Sequence, residues 1–144
     1  MVTLFSMPKP FRGDIGLIQR NAIESWTLLR PRPEVILLGD EEGTADLAAS
    51  FGARHVPGIA RNEFGTPLVN SIFESAEQIA SHEVLCYVNT DIILMSDFVP
   101  AVRRMRFPKF LMIGQRWDLD VCRPLDFRDP AWEAVFWRDV LRRG

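Results

Sequence analysis

Apolar residues recur along this chain in two alternating patterns, short unbroken runs and steps of three and four. Val2–Ser6 is a run with β-branched members and predicts a strand. Met7–Gly13, with two prolines and a glycine, predicts the loop behind it. Asp14 is placed to cap a helix reaching about Leu29, because Ile15, Ile18, Ala22, Trp26 and Leu29 fall on one face. Pro31 and Pro33 stop it. Val35–Leu38 reads as a second strand. Thr44 then caps a short helix that turns Leu47, Ala48 and Phe51 inward and uses Gly52 for its C-terminal turn.

Arg54–Val56 predicts a brief third strand. Thr66-Pro67 combines a cap with proline at the first helical position, and the helix behind it buries Val69, Ile72, Phe73, Ala76 and Ile79. Val84–Val88 is apolar throughout, which predicts a central strand covered on both faces. Ser96 caps a further helix with Pro100 in its first turn. Phe110–Ile113 predicts a fifth strand. Asp129-Pro130 opens a last helix, with Trp132, Phe136 and Val140 along one side and Arg138, Arg142 and Arg143 toward the negative end of its dipole. Strands alternating with helices over short links define the fold class as α/β, an open and mostly parallel sheet with helices on both faces. No internal repeat or linker divides the 144 residues, which read as a single domain.

Composition narrows the partners. A formal net charge of −2 argues against a nucleic-acid binder, which needs a basic excess to neutralise phosphates. Arg103-Arg104 and Arg142-Arg143 read as helix faces or ends rather than binding patches. No apolar run approaches the length of a membrane span, and Met1–Ser6 lacks the layout of a secretory signal, so the expected location is cytoplasmic. The two cysteines, Cys86 and Cys122, offer neither a disulfide framework nor metal-site spacing.

Ligands of open parallel sheets bind beyond the carboxyl ends of the strands. The expected strand exits carry Ser6-Met7-Pro8-Lys9, Gly39-Asp40-Glu41-Glu42, Arg61-Asn62, Asn89-Thr90-Asp91 and Gln115-Arg116-Trp117-Asp118. Asn89 and Asp91 share one side of an extended chain, where a carboxylate and an amide suit a hard divalent cation, Mg²⁺ or Mn²⁺. The same triplet also reads as a turn held by side-chain-to-backbone bonds. Asp40 is placed to accept from a base or ribose, while Glu41 and Glu42 equally suit a solvated acidic loop ahead of a helix N-terminus. Lys9, Arg12, Arg61 and Arg116 are candidate phosphate partners, each of which could equally be a surface charge. Trp117 and Asp118 could wall a sugar site, or Trp117 could pack under the last helix. The isolated His55 and His82 read as structural or surface residues. No G-x-x-x-x-G-K-[ST] or G-x-G-x-x-G pattern is present, which disfavours loop-type ATPases and dinucleotide binders.

Several segments carry a likeness: Leu4–Gly13, Ile18–Pro33 with its Gln19-Arg20-Asn21-Ala22 and Ser25-Trp26 elements, Leu38–Gly43, Arg61–Pro67, Tyr87–Leu94 and Gly114–Asp120. Together they resemble glycosyltransferase-like proteins of the nucleotide-diphospho-sugar transferase superfamily, which have the A-type glycosyltransferase fold. The resemblance implies a sugar transfer from a nucleotide-diphosphate sugar donor to an acceptor that the sequence does not name. It matches Asp91 to the metal-binding aspartate of the family's Asp-any-Asp motif, with Asn89 standing where the family has the first aspartate. It implies Asp40 at the nucleoside and Ser6 and Lys9 in the loop flanking the base; no residue identifies the acceptor's base, for which Asp118 and Asp120 are the only local candidates. Members are longer than this chain, so the expectation is a partial member with the donor site and little of the acceptor site. The alternative is a non-catalytic nucleotide-binding or interaction module. Oligomeric state is left open.

Overall fold

A computed structural model describes residues 1–143, for Arg143 the backbone alone. The expectation for the Arg143 side chain therefore lies outside the described residues. The order is β1 (Val2–Ser6), α1 (Gly13–Leu28), β2 (Glu34–Leu38), α2 (Thr44–Phe51), β3 (Arg54–Val56), α3 (Val69–Ile79), β4 (Val84–Tyr87), α4 (Phe98–Arg103) and α5 (Trp132–Arg143). The four strands form one parallel sheet in the order β3-β2-β1-β4. The fold is α/β with helices on both faces, as the alternation predicts.

Strand periodicity explains the two faces. Val2 and Leu4 of β1 point with Val35 and Leu37 of β2 into one core, against Ala22, Ile23 and Trp26 of α1 and Leu47 and Ala48 of α2. Phe5, Ile36 and Leu38 point the other way, against Ile72 and Ala76 of α3. After β3 the chain crosses to the second face and returns on the far side of β1. The strand order thus reverses between β1 and β4, which makes that crevice the topological switch point. All five residues of β1 are buried, because β1 has a strand on each side and a helical layer on each face.

At the amino edge of the sheet a carboxylate gathers the neighbouring elements. Glu34 accepts from Thr3 Oγ1 (2.7 Å), Ser81 N (2.7 Å), Ser81 Oγ (2.8 Å) and Arg54 Nη1 (3.1 Å). Burial is the largest influence on its carboxyl and pushes its pKa up. The Ser81 backbone bond, with the Thr3, Ser81 and Arg54 side chains, outweighs it and holds the value at about 2.

Several expectations are corrected. Phe110–Ile113 is not a strand: it forms no ladder, and Leu111 and Ile113 are 85% and 84% exposed. β4 is consequently an edge strand rather than a central one, and Tyr87 is partly open to solvent. An apolar strand sequence reports its covered faces and says nothing of its hydrogen-bonded edges. Thr66-Pro67 does not start α3. The chain doubles back through an antiparallel bridge between Arg61 and Pro67, and α3 begins at Val69 with Val69 and Phe73 exposed. Ser96 caps nothing in α4; its N–H and hydroxyl donate to Glu133 of α5 at 2.8 and 2.6 Å. Asp14 and Thr44 lie inside the first turns of their helices rather than at the caps. Gly52 does end α2 in the left-handed region, at φ 63°, where a side chain would be strained. Asp129 likewise accepts from Ala131 N at 2.8 Å ahead of α5. Ile15 is exposed, and the inward face of α1 carries Gln19, Asn21 and Ser25 in place of an all-apolar stripe.

Candidate functional site

Those three polar residues of α1, with the indole of Trp26, hold the loops at the carboxyl edge. Gln19 is buried on the same helical stripe as Ala22, Ile23 and Trp26. Its Oε1 accepts from Lys9 N (2.7 Å) and Thr90 Oγ1 (2.9 Å), and its Nε2 donates to Lys9 O (2.8 Å). One amide therefore ties the loop after β1 to the chain leaving β4, across the switch point. Trp26 Nε1 donates to Ile92 O at 2.8 Å, and Ser25 Oγ accepts from Leu94 N at 3.0 Å, so the exit of β4 is pinned to α1 over several residues. Asn21 reaches further, donating to Arg123 O (3.0 Å) and accepting from Leu125 N (3.1 Å).

The expected metal triplet takes a definite shape. Asn89 to Ile92 is a turn closed by Ile92 N to Asn89 O at 3.1 Å, with Thr90 buried and Asn89 and Asp91 exposed. The two-residue alternation expected of an extended chain does not apply, because the chain turns there. The turn is held by that backbone bond and by Thr90, with no side-chain bond from Asn89 or Asp91 among the described residues. Asp91 makes no hydrogen bond or ion pair among the described residues. Its charge is felt at Tyr87, whose phenol is pushed up by burial first and by Asp91 second. Tyr87 stacks on Phe73 (5.7 Å, 27°) and meets the edge of Phe5, an aromatic surface beside the turn.

The other exits are tied to one another. Arg61 Nη2 donates to Glu41 (2.7 Å) and Asp40 (3.1 Å), and its Nη1 to Gly65 O (2.8 Å). The hydrogen bond to Glu41 is the main reason its guanidinium is held above its ordinary pKa. Asn62 spends its side-chain oxygen on Phe64 N (3.0 Å) and Thr66 N (2.9 Å), forming the tight turn that leaves Phe64 82% exposed at the tip. Phe11 N donates to Glu42 O at 2.9 Å, and Arg12 pairs with Glu42. Gly39 joins the second and third exits, its N–H on Val56 O (2.8 Å) and its carbonyl accepting from His55 Nε2 (2.7 Å).

The structure sorts the candidates accordingly. Asp40 and Arg61 come together, but on each other, and Asn62 is occupied by its own turn. Ser6 is buried and donates to Val88 O. Arg116 and Asp118 pair at 3.2 Å in an irregular exposed segment, and no hydrogen bond or ion pair among the described residues joins either to Asp91, Asp40 or Lys9. Trp117 is exposed and does not pack under α5. Lys9 has its backbone held by Gln19 while its ammonium has no hydrogen bond or ion pair among the described residues. Gln19, Thr90 and Tyr87 are the residues that sequence reasoning missed. A glutamine on the apolar stripe of an amphipathic helix was the available signal.

Among the described residues no group of three His, Cys, Asp or Glu side chains could hold a metal ion. The donor set that does exist is the Asp91 carboxylate with the Asn89 amide in one turn. It fits a cation that arrives with phosphate oxygens and fits no all-protein cage. No family model, curated protein or solved structure matches the chain. The class that fold and site define is an open parallel α/β protein whose switch-point loops are pre-tied by one buried amide. No helix among the described residues is long and apolar enough to cross a membrane.

Proposed function

We propose that the crevice between β1 and β4 binds the diphosphate of a nucleotide-diphosphate sugar together with a divalent cation, and that the chain serves sugar transfer as a glycosyltransferase-like donor domain of the A-type fold. The observation that carries this reading is the Gln19 staple. It holds Lys9 and the Asp91 turn on the two sides of the switch point, each with its charge unpaired among the described residues. An ammonium and a carboxylate held apart and left unneutralised suit a ligand that brings both anionic oxygens and a cation. Asp91 would hold the cation, with Asn89 beside it, and Lys9 would meet phosphate oxygens. When bound, the cation neutralises charge gathering on the departing diphosphate. Asp40 would reach the ribose once Arg61 is drawn toward the phosphates. Asp118 is the candidate acceptor base, its carboxylate engaged by Arg116.

A thermal-shift panel of nucleotide-diphosphate sugars with and without Mn²⁺ tests the donor site, because a ligand of the native state raises the melting temperature by mass action. A metal-dependent rise with one nucleotide, lost in Asp91→Ala with the fold intact, is the expected result. An equal rise in that variant would sink the assignment. The second reading, a non-catalytic interaction module, is favoured by the exposed apolar side chains of Phe107, Leu111 and Ile113. Nucleotide binding without turnover, together with self-association on size exclusion, would select it.

A further inference from the structure

The opposite end of α1 holds a second concentration of charge. α1 spans 16 residues, which is about 24 Å at the helical rise, and it runs from the carboxyl edge of the sheet back to the amino edge. There, beyond its last turn, Arg30 meets Arg103, Arg104 and Arg106 from the end of α4 and the chain behind it. The four arginines line one cleft of about 360 Å³ together with Pro31, Val99 and Pro100. Among the described residues no carboxylate lines that cleft. Arg30 is oriented by donating to Leu29 O (2.9 Å) and Thr27 O (3.2 Å). The guanidinium groups of Arg103, Arg104 and Arg106 make no hydrogen bond or ion pair among the described residues.

A helix end accounts for one such cation, since α4 is six residues long and carries Arg103 in its last turn. It does not account for four arginines lining one hollow in a chain whose net charge is −2. Like charges held within a Debye length repel, and an anion between them reverses the sign of that interaction. Guanidinium forks match phosphate oxygens in pairs, with charge-assisted hydrogen bonds. We propose that this cleft is a binding site for a ligand carrying clustered phosphate groups, separate from the switch-point crevice. A free oligophosphate and a phosphorylated lipid headgroup share that chemistry.

Calorimetric titration of the full chain with tripolyphosphate, in metal-free buffer, tests it. The expected result is saturable binding that weakens at least tenfold in Arg103→Gln/Arg104→Gln/Arg106→Gln and falls with added salt. These side chains are exposed, so the variant keeps its fold, which an unchanged melting temperature verifies. The control Arg138→Gln/Arg142→Gln removes charge from α5 and should stay within twofold of the parent. Equal weakening by the control would reduce the effect to net charge and overturn the site. Retention in the triple variant with loss in Lys9→Gln would move the ligand to the other end of α1 and overturn it as well. Sedimentation with phosphatidylcholine vesicles, with and without phosphatidylinositol bisphosphate, separates the sources. Capture by the phosphorylated vesicles alone, lost in the triple variant, with no affinity for tripolyphosphate, supports the site with a membrane headgroup as its ligand. Binding to neither probe overturns it.

Discussion

The two edges of the sheet are each tied by one side chain, and the two ties differ in charge. At the amino edge Glu34 collects Thr3, Ser81 and Arg54, all of them donors, so a carboxylate with its several acceptor sites satisfies the whole set. At the carboxyl edge Gln19 faces an N–H, a hydroxyl and a carbonyl. Only a group that both accepts and donates can serve there, and the amide does so without adding charge. The amino edge is held by an ion. The edge proposed to hold a diphosphate is held by a neutral group, which leaves the fields of Lys9 and Asp91 to act on whatever enters the crevice.

The largest effect is expected from breaking the charged tie. Glu34→Leu strands several donors, and urea unfolding should register a loss of about 3 kcal/mol, the scale of leaving partly buried groups unsatisfied. Nucleotide binding, if present in the parent, should survive wherever the variant is folded. The charged tie should also titrate. Its folded pKa of about 2 lies below the ordinary value of 4.5, so the stabilisation is present above pH 4.5 and is lost as pH falls toward 2. With its side chain only 13% exposed, that loss should be on the order of 2 kcal/mol, and Glu34→Gln should flatten it.

Replacing the neutral tie sharpens the contrast. Gln19→Glu keeps the acceptor for Lys9 N and Thr90 but sets a carboxylate oxygen against Lys9 O. It should cost about 1–2 kcal/mol at neutral pH by calorimetry. The new carboxyl needs its proton to donate, so its folded pKa is raised and stability should fall as pH rises, opposite in sign to the parent's Glu34. A variant without that slope would show that Gln19 does not depend on its donor bond. Thr90→Val, which removes one hydrogen bond at nearly constant shape, should cost about 1 kcal/mol in the same assay.

Most of the fold was legible because its signals are local. The helical spacing of Ala22 and Trp26 in α1 and Leu29 at its C-cap, the alternation of β1 and β2, and the glycine after α2 each act within a few residues. The position of β4 at an edge was not legible, since the partial cover of Leu85 and Cys86 by the two cores reads the same whether or not a further strand pairs with β4. Phe110–Ile113 has strand composition, but a strand exists only where another backbone meets it. The turn at Arg61–Pro67 was hidden for a related reason: Thr66-Pro67 is a good helix start in isolation, and the bridge across Asn62 overrides it. For the site, the loops were predictable because element order alone places strand exits on one edge. The partners were not, because Arg61 finds Glu41 across 20 positions and Thr90 finds Gln19 across 71.

The position of β1 sets the order in which the chain can fold. β1 is the most enclosed strand, yet one of its two neighbours, β4, lies some eighty residues further along, Ser6 bonding across 82 positions to Val88. During synthesis β1 leaves the ribosome long before β4 exists, and only its β2 side can close early. Leu4 and Phe5 must therefore wait, half-covered, through the making of α2, β3 and α3. Contacts of such long sequence separation slow folding and prolong the exposure of apolar chain. The time taken to translate residues 39–88 sets how long β1 waits without its β4 partner.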